Sequence, residues 1–335
     1  MQKIPISIVN NADLASPVNA ILDNISENLL EIEVLVTTDC NLRCKFCSIV
    51  NIKDYPGLSA KRLIAQYDSI KTILKKTTAS SITITLYGGE IFSEALPANT
   101  LAVYDDFLTS IEALADKYNK NISFTVMTNL LCTYSLLDVI ALCKKHNIQL
   151  HASFDLDFRF TKLRQKILVL ENLKKLTQHG IKPTISMLLS KKCIERFKSN
   201  NIVIKYLYKN YPILFSIYDG CNMPEQQPSS KDLYEFYILL YNKYPDIQEL
   251  KKVLTTFSNN KKVRDCNRAL KLEDSKILFC CNNRFSKERE FIKNKSCFCC
   301  KYFSKCRMTC FRLFYADTFC YLKGFLDYVS AKQNN

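Results

Sequence analysis

The sequence is poor in histidine and glycine, and it lacks any long apolar run. It contains three histidines, His146, His151 and His179, none of them at a spacing typical of zinc ligands. No run of about 18 apolar residues is present, which argues against a membrane-spanning helix. The opening residues MQKIPISIVNNADLASP also lack the apolar centre of a secretory signal. These absences together predict a cytoplasmic protein.

Cysteine and positive charge, by contrast, are abundant. The chain has 16 cysteines in 335 residues, and clustered cysteines in a reducing compartment are more often metal ligands or catalytic thiols than disulfides. Lysine and arginine total 47 against 32 acidic residues, a formal net charge of +15. That balance suits an acidic partner, although a solvated basic surface explains it equally well. The chain lacks the aromatic stacking platforms and the basic helix of nucleic-acid readers, so we do not expect nucleic acid as a partner.

Short β-branched runs alternate with helical patterns through the first two thirds of the chain. The predicted strands are 31–38, 81–87, 122–128, 148–154, 182–189 and 212–218. Apolar residues at helical spacing predict helices over 60–76 (Leu63, Tyr67, Ile70, Leu74) and over 161–177 (Leu163, Ile167, Leu170, Leu173). This alternation predicts an α/β fold of parallel, right-handed units, arranged as an open sheet or a barrel arc. In both arrangements the chemistry gathers at the carboxyl ends of the strands.

The composition changes after Cys221. NMPEQQPSS (222–230) has the character of a linker, two helices are predicted at about 230–243 and 246–257, and nine cysteines follow residue 260 without a periodic apolar pattern. Such a segment depends on metal for its fold. We therefore divide the chain into an extension (1–30, with a helix near 13–28), an α/β unit (31–221), a linker with helices (222–259) and a cysteine-rich domain (260–335).

Two motifs follow the first two strands. Cys40-Asn-Leu-Arg-Cys44-Lys-Phe-Cys47 offers three thiolates, enough for three corners of an iron–sulfur cubane with one iron left open, or for a zinc site that borrows a distant ligand. The second strand ends in Tyr87-Gly88-Gly89-Glu90. Glycines allow a ligand to approach the backbone, and a carboxylate accepts hydrogen bonds from an ammonium group.

This pair of motifs resembles the radical S-adenosylmethionine (SAM) enzymes. The resemblance implies a partial (β/α)6 TIM-like barrel and a [4Fe–4S] cluster on Cys40, Cys44 and Cys47. SAM would bind the open iron and be cleaved to a 5′-deoxyadenosyl radical. Phe46 would lie near the adenine, while Gly88, Gly89 and Glu90 would meet the SAM amino group. An electron donor such as flavodoxin or ferredoxin is also implied.

Softer matches follow the third and fourth strands. Asn129 stands where relatives have Thr-Asn-Gly, with Leu130 in place of the glycine. Ser153 and Asp155 in HASFD are similar to the family's Ser-x-Asp, which implies that Ser153 contacts SAM. Arg164 on the next helix is a candidate partner of the SAM carboxylate, because arginine pairs with carboxylates in a bidentate geometry. A surface charge is the alternative for Arg164.

The C-terminal cysteines resemble the SPASM extension of peptide-modifying radical SAM enzymes. The ungapped stretch is Cys297-x2-Cys300-x5-Cys306-x3-Cys310, followed by Cys320 and preceded by a hairpin between Cys266 and Cys280. The resemblance implies two auxiliary [4Fe–4S] clusters, one on Cys266, Cys280 and Cys310 and the other on Cys297, Cys300, Cys306 and Cys320. Ser275 replaces the usual hairpin glycine. No upstream cysteine completes the first auxiliary cluster, which leaves it with an open iron or with Cys221, Cys281 or Cys299 as the fourth ligand. Zinc is the alternative metal for this tail.

The resemblance implies a peptide or protein substrate, often a ribosomally made precursor, and a crosslink, thioether, dehydrogenation or epimerisation as the outcome. Cys221 and Asp219, after the sixth strand, are the candidate hydrogen-atom donor and substrate contact. The alternatives are a formylglycine-forming sulfatase maturase, disfavoured because Cys281 replaces its aspartate, a small-molecule dehydrogenase, and a zinc- and nucleic-acid-binding module. The 39 residues before Cys40 are too few for a peptide-binding winged helix and the first strand, so we expect a separate leader-binding protein or the barrel itself to recognise any leader.

Overall fold

An eight-stranded sheet lies at the centre of the protein. The computed structural model describes residues 29–47, 49, 60–93, 96–132, 135–218, 222–258, 269–273, 276–279, 301–302 and 320–333. The strand order in the sheet is β6-β5-β4-β3-β2-β1-β7-β8. The helix predicted near residues 13–28 lies outside the described residues.

Six parallel strands form a curled half-barrel, as the sequence predicts. They are β1 (Leu29–Thr37), β2 (Ser81–Gly88), β3 (Asn121–Thr128), β4 (Gln149–Phe154), β5 (Thr184–Leu189) and β6 (Ile213–Ile217). Each begins and ends within two residues of its predicted range. The β-branched runs were therefore a reliable signal, because they suit a strand that is buried on at least one face.

Helices connect and follow these strands. They are α1 (Ala60–Lys76), α2 (Thr100–Lys117), α3 (Leu136–Lys145), α4 (Leu163–Gln178), α5 (Lys191–Lys198), α6 (Ile202–Asn210), α7 (Ser230–Lys243), α8 (Gln248–Ser258) and α9 (Tyr321–Gln333). The predicted helices at 60–76, 161–177, 230–243 and 246–257 are confirmed. The sequence predicts no bounds for the other described helices, α2, α3, α5, α6 and α9.

The apolar spacing identified the core face of α1 better than that of α4. Leu63, Ile70 and Leu74 of α1 are buried, as expected. In α4, however, Leu163 is 72% exposed and Ile167 is 47% exposed. The buried residues of α4 are Val169, Asn172, Leu173 and Leu176. Because one of these is an asparagine, hydrophobicity alone did not mark the correct face.

The hairpin in the cysteine-rich segment extends the main sheet. Strand β7 (Ala269–Glu273) pairs antiparallel with β8 (Lys276–Phe279), which confirms the predicted hairpin. Strand β7 also pairs parallel with β1, with Glu31 opposite Ala269 and Val34 opposite Leu272. No local pattern predicts this pairing, since it joins segments that are far apart in the chain.

The two faces of the half-barrel differ in chemistry. One face carries buried apolar side chains that pack in the helix-covered core, including Leu30, Ile32 and Val34 of β1. By strand register the other face carries Glu31, Glu33, Thr83, Thr85, Ser123, Thr125, His151, Ser153, Thr184 and Ser186. Apart from Thr125, these polar side chains are half-buried or exposed. The inner face is thus hydrophilic and open, whereas a closed barrel fills its interior with branched apolar side chains.

Candidate cluster and cofactor site

The cysteine motif forms a loop directly after β1. Cys44 is buried, and Cys40 and Cys47 are half-buried. The Cys47 amide donates to the Cys44 carbonyl at 3.0 Å, and the Leu42 amide donates to Cys40 Sγ at 3.4 Å. A backbone hydrogen bond therefore stabilises the loop, and the Leu42 amide donates to the Cys40 sulfur.

Burial disfavours the thiolate forms of Cys40 and Cys44 in the absence of a cation. Burial raises the pKa of the Cys40 thiol to about 11 and also raises the pKa of Cys44. A bound metal reverses this preference, because a coordinating thiol is deprotonated outright. Within the described residues no three His, Cys, Asp or Glu side chains converge on a single metal ion. A cubane makes no such demand, because each of its cysteines binds a different iron.

The end of β2 packs tightly against this loop. The Gly89 amide donates to the Thr37 carbonyl and the Glu90 amide to the Asp39 carbonyl, both at 2.7 Å. A Cβ on Gly88 would lie 2.1 Å from Thr37 O, and one on Gly89 would lie 1.9 Å from Asp39 O. The glycines are therefore needed because the chain itself approaches them, whereas the sequence had suggested space for a ligand.

Glu90 is fully buried where these segments meet. Its Oε1 accepts hydrogen bonds from Thr128 Oγ1 at 2.6 Å and from the Phe92 amide at 3.1 Å. Its Oε2 accepts from the Asn129 amide at 2.6 Å. Burial raises the pKa of Glu90, and these hydrogen bonds oppose the rise. The hydrogen bonds therefore preorganise Glu90, and a ligand cation beside it would favour its charged form.

Residues 128–131 form a turn that joins Glu90 to the cysteine loop. Leu130 replaces the glycine of the family motif, yet it adopts a left-handed conformation with φ of 58°. Its amide donates to Thr128 Oγ1 at 3.0 Å, and Asn172 of α4 donates to its carbonyl at 2.9 Å. The Leu130 side chain is fully buried, so packing offsets the cost of this conformation.

At the end of β4, Ser153 and Asp155 have different surroundings. Ser153 is half-buried on the polar inner face, opposite Ser186 of β5. Asp155 Oδ1 accepts hydrogen bonds from the amides of Asp157, Phe158 and Arg159. Asp155 therefore holds the turn that follows β4.

Arg159, which sequence reasoning missed, is the arginine that this turn brings to the cysteine loop. Its guanidinium lies 5.1 Å from the centre of the Phe46 ring. Its Nε is buried and has no hydrogen-bond partner among the described residues. Arg164, the predicted arginine, is exposed at the start of α4. The available signal was the position of Arg159, four residues after Asp155 at a strand end.

The remaining predicted residues divide into described and undescribed groups. Cys320 is exposed just before α9, and the Lys323 amide donates to its sulfur at 3.5 Å. Three cysteines outside both motifs are also described: Cys143 and Cys193 lie buried in α3 and α5, and Cys132 lies in the loop after β3. The following lie outside the described residues: Asp219, Cys221, Cys266, Cys280, Cys281, Cys297, Cys299, Cys300, Cys306 and Cys310.

No family model and no curated protein matches the chain. Solved structures match it along most of its length. One of anSMEcpe with bound AdoMet is 14% identical, with a TM-score of 0.61, over 92% of this chain and 98% of that chain. Another, native anSMEcpe with bound AdoMet and the Cp18Cys peptide, is 16% identical with a TM-score of 0.60 over the same shares.

A third match is SuiB of Streptococcus suis bound to the precursor peptide SuiA. It is 16% identical, with a TM-score of 0.56, over 93% of this chain and 80% of that chain. These neighbours are radical SAM enzymes. Among the described residues no helix is long and apolar enough to cross a membrane. The chain therefore has the fold of the radical SAM enzymes, as its motifs predict.

Proposed function

We propose that the protein is a radical SAM enzyme that modifies a peptide or protein substrate. The observation that carries the proposal is the meeting of the cysteine loop, Glu90 and Asn129 at one end of the half-barrel. Three segments that are remote in sequence are joined there by hydrogen bonds of 2.6–2.9 Å. This end is the carboxyl end of the parallel strands, where ligands bind in such folds.

The side chains at this end fit a [4Fe–4S] cluster with SAM. Cys40, Cys44 and Cys47 lie on one short loop and would hold three irons. Glu90 is a fully buried carboxylate suited to the SAM ammonium group, and Arg159 offers an unpaired donor to the SAM carboxylate. Phe46 supplies an aromatic surface for the adenine, and Ser153 a hydroxyl on the inner face. When bound, the two groups supply a 5′-deoxyadenosyl radical that abstracts a hydrogen atom from substrate.

The other residues of the site position these groups. Gly88 and Gly89 allow β2 to contact the cysteine loop, and Asp155 organises the turn that carries Arg159. We also propose that Cys266, Cys280 and Cys310, and Cys297, Cys300, Cys306 and Cys320, hold two auxiliary clusters. A flavodoxin or ferredoxin as electron donor belongs to the same proposal.

A peptide substrate is supported by the inner face of the half-barrel. Its half-exposed polar groups include the Thr83 and Ser123 hydroxyls, which lie 3.0 Å apart. Such a surface can exchange its water for the amides and polar side chains of a polypeptide. Similar folds are seen with the Cp18Cys and SuiA peptides bound. An acidic segment of the substrate would suit the +15 charge of the chain.

Iron content tests the proposal. Anaerobically reconstituted protein should hold about twelve irons, and replacement of Cys40, Cys44 and Cys47 by alanine should leave about eight, four for each remaining cubane. Replacement of the buried Cys143 and Cys193 by alanine is the matched control and should leave the iron content unchanged. A colourless, zinc-loaded protein would overturn the proposal. About four irons with zinc in the tail would overturn the auxiliary clusters only.

We propose an oxidative outcome such as a crosslink, thioether or dehydrogenation. The two proposed auxiliary clusters would accept the electron that an oxidised product must lose, and an epimerisation needs no such acceptor. An oxidised product is lighter by two hydrogens, about 2 Da, once the substrate has been converted with SAM under anaerobic conditions. An epimerase would instead give a product of unchanged mass in ordinary water. In heavy water the same product would gain one deuterium, and this gain would depend on Cys221.

A further inference from the structure

The side chain of Asn129 is turned toward the cysteine loop. Its Nδ2 donates to Asn41 Oδ1 at 2.9 Å and lies 3.9 Å from Cys40 Sγ, within the range of a hydrogen bond to sulfur. Its Oδ1 accepts from the Leu131 amide at 2.8 Å. The Asn129 side chain makes these contacts in a site that is almost closed to solvent, because the residue is only 3% exposed.

The backbone of the same residue is bonded to Glu90. The Asn129 amide donates to Glu90 Oε2 at 2.6 Å, so one residue contacts both Glu90, the candidate partner of the SAM ammonium group, and Cys40. Asn41, the residue next to Cys40, reinforces the link by donating to the Leu131 carbonyl at 2.8 Å. The left-handed Leu130 and the hydrogen bond from Asn172 hold this turn in place.

We infer that Asn129 is a positioning residue that hydrogen-bonds the Cys40 thiolate and couples it to Glu90. The inference rests on the proposed function, since it requires a cluster on Cys40. A hydrogen bond to a cluster sulfur stabilises the more negative, reduced state and so raises the reduction potential. Because Glu90 and Cys40 share Asn129, SAM binding at Glu90 alters the potential, and the redox state alters SAM affinity by the same factor.

Two substitutions separate this role from a general loosening of the turn. Asn129→Asp keeps an oxygen for the Leu131 amide but removes the donor to Cys40. Asn129→Leu removes the donor without adding charge. Asn172→Leu is the matched control, because it removes a hydrogen bond to Leu130 in the same turn and leaves the Asn129 donor in place.

The measurement is an EPR-monitored redox titration of the full-length, cluster-loaded protein, with and without SAM. The cluster on Cys40 is identified as the one whose signal changes when SAM is added. Iron content and thermal unfolding check that each variant is folded and loaded. Should Asn129→Leu fail to fold, Asn129→Asp still tests the donor.

We expect both Asn129 variants to have a lower midpoint potential than wild type and a smaller shift on SAM addition, with Asn172→Leu near wild type. Unchanged potentials in the Asn129 variants, or an equal fall in Asn172→Leu, would overturn the inference alone. The absence of any SAM-responsive signal in the wild-type protein would overturn the proposed function and this inference with it.

Discussion

The guanidinium of Arg159 lies over the ring of Phe46, with 5.1 Å between its central carbon and the ring centre. Phe46 stands between Cys44 and Cys47, so this contact brings a positive charge to the cysteine loop. Burial raises the pKa of the Cys44 thiol, and the charge of Arg159 opposes that rise. The contact itself is of the cation–π type, worth about 0.5–2 kcal/mol according to its exposure.

Replacement of Arg159 by methionine should weaken SAM binding. The loss of a charge-assisted hydrogen bond costs about 1.5–3 kcal/mol, which is roughly a 10- to 150-fold loss of affinity. Isothermal titration of cluster-loaded protein with SAM measures the effect. Arg164→Met is the matched control, and its affinity should stay near that of wild type because Arg164 is exposed. Equal losses in the two variants would contradict the assignment of Arg159.

Glu90→Gln should reduce both SAM affinity and folding stability. A glutamine NH2 group would face the Asn129 amide or the Thr128 hydroxyl, which now donate to Glu90. The lost charge-assisted bond to SAM should cost about 1.5–3 kcal/mol. SAM titration and denaturant unfolding measure the two effects separately. The control is Glu112→Gln, which changes a carboxylate that is hydrogen-bonded to His146 and should leave SAM affinity unchanged. If Glu90→Gln bound SAM with wild-type affinity, Glu90 would be a structural residue of the turn and not a SAM contact.

Leu130→Gly should destabilise the protein less than Leu131→Gly. Both side chains are buried, and emptying such a site costs about 2.7–5 kcal/mol. At Leu130 the left-handed backbone conformation costs a non-glycine residue about 1–2 kcal/mol of folding free energy, and glycine does not incur this cost. Denaturant unfolding of the two variants gives the comparison. If Leu130→Gly were the more damaging substitution, packing at this residue would outweigh the backbone term.

Asp105→Asn should destabilise the protein at neutral pH but not in acid. Hydrogen bonds from Lys145 and then from His146 lower the pKa of Asp105, so its charged form adds stability above the unfolded pKa. That contribution is lost as the pH falls from about 4, the pKa of an aspartate in the unfolded chain, through the lower pKa of Asp105 in the folded protein. We expect about 1 kcal/mol at pH 7, discounted because the carboxylate is partly exposed.

Urea unfolding of the Asp105 variant at several pH values measures this dependence. Asp106→Asn, at the neighbouring exposed carboxylate, is the control and should have little effect at any pH. A difference between Asp105→Asn and wild type that persisted unchanged below pH 3 would show that the effect does not arise from ionisation of Asp105.

Much of the fold follows from local sequence. The six strand ranges were correct within two residues, because β-branched runs and their spacing depend on each segment alone. The position of the cysteine motif after β1, and of Glu90 after β2, could likewise be stated in advance. Parallel strands place their carboxyl ends at one edge, so the two motifs had to meet.

Long-range contacts decided the rest. No local pattern marks the pairing of β7 with β1, the exposed face of α4 or the approach of Arg159 to Phe46. Gly88 and Gly89 indicated a close approach, but only the fold shows that Thr37 and Asp39 make it. The sequence by itself determined which elements form and which chemical groups reach the strand ends. The tertiary structure alone decided which of these groups touch, because side-chain contacts depend on strand register and on how the connecting turns are packed.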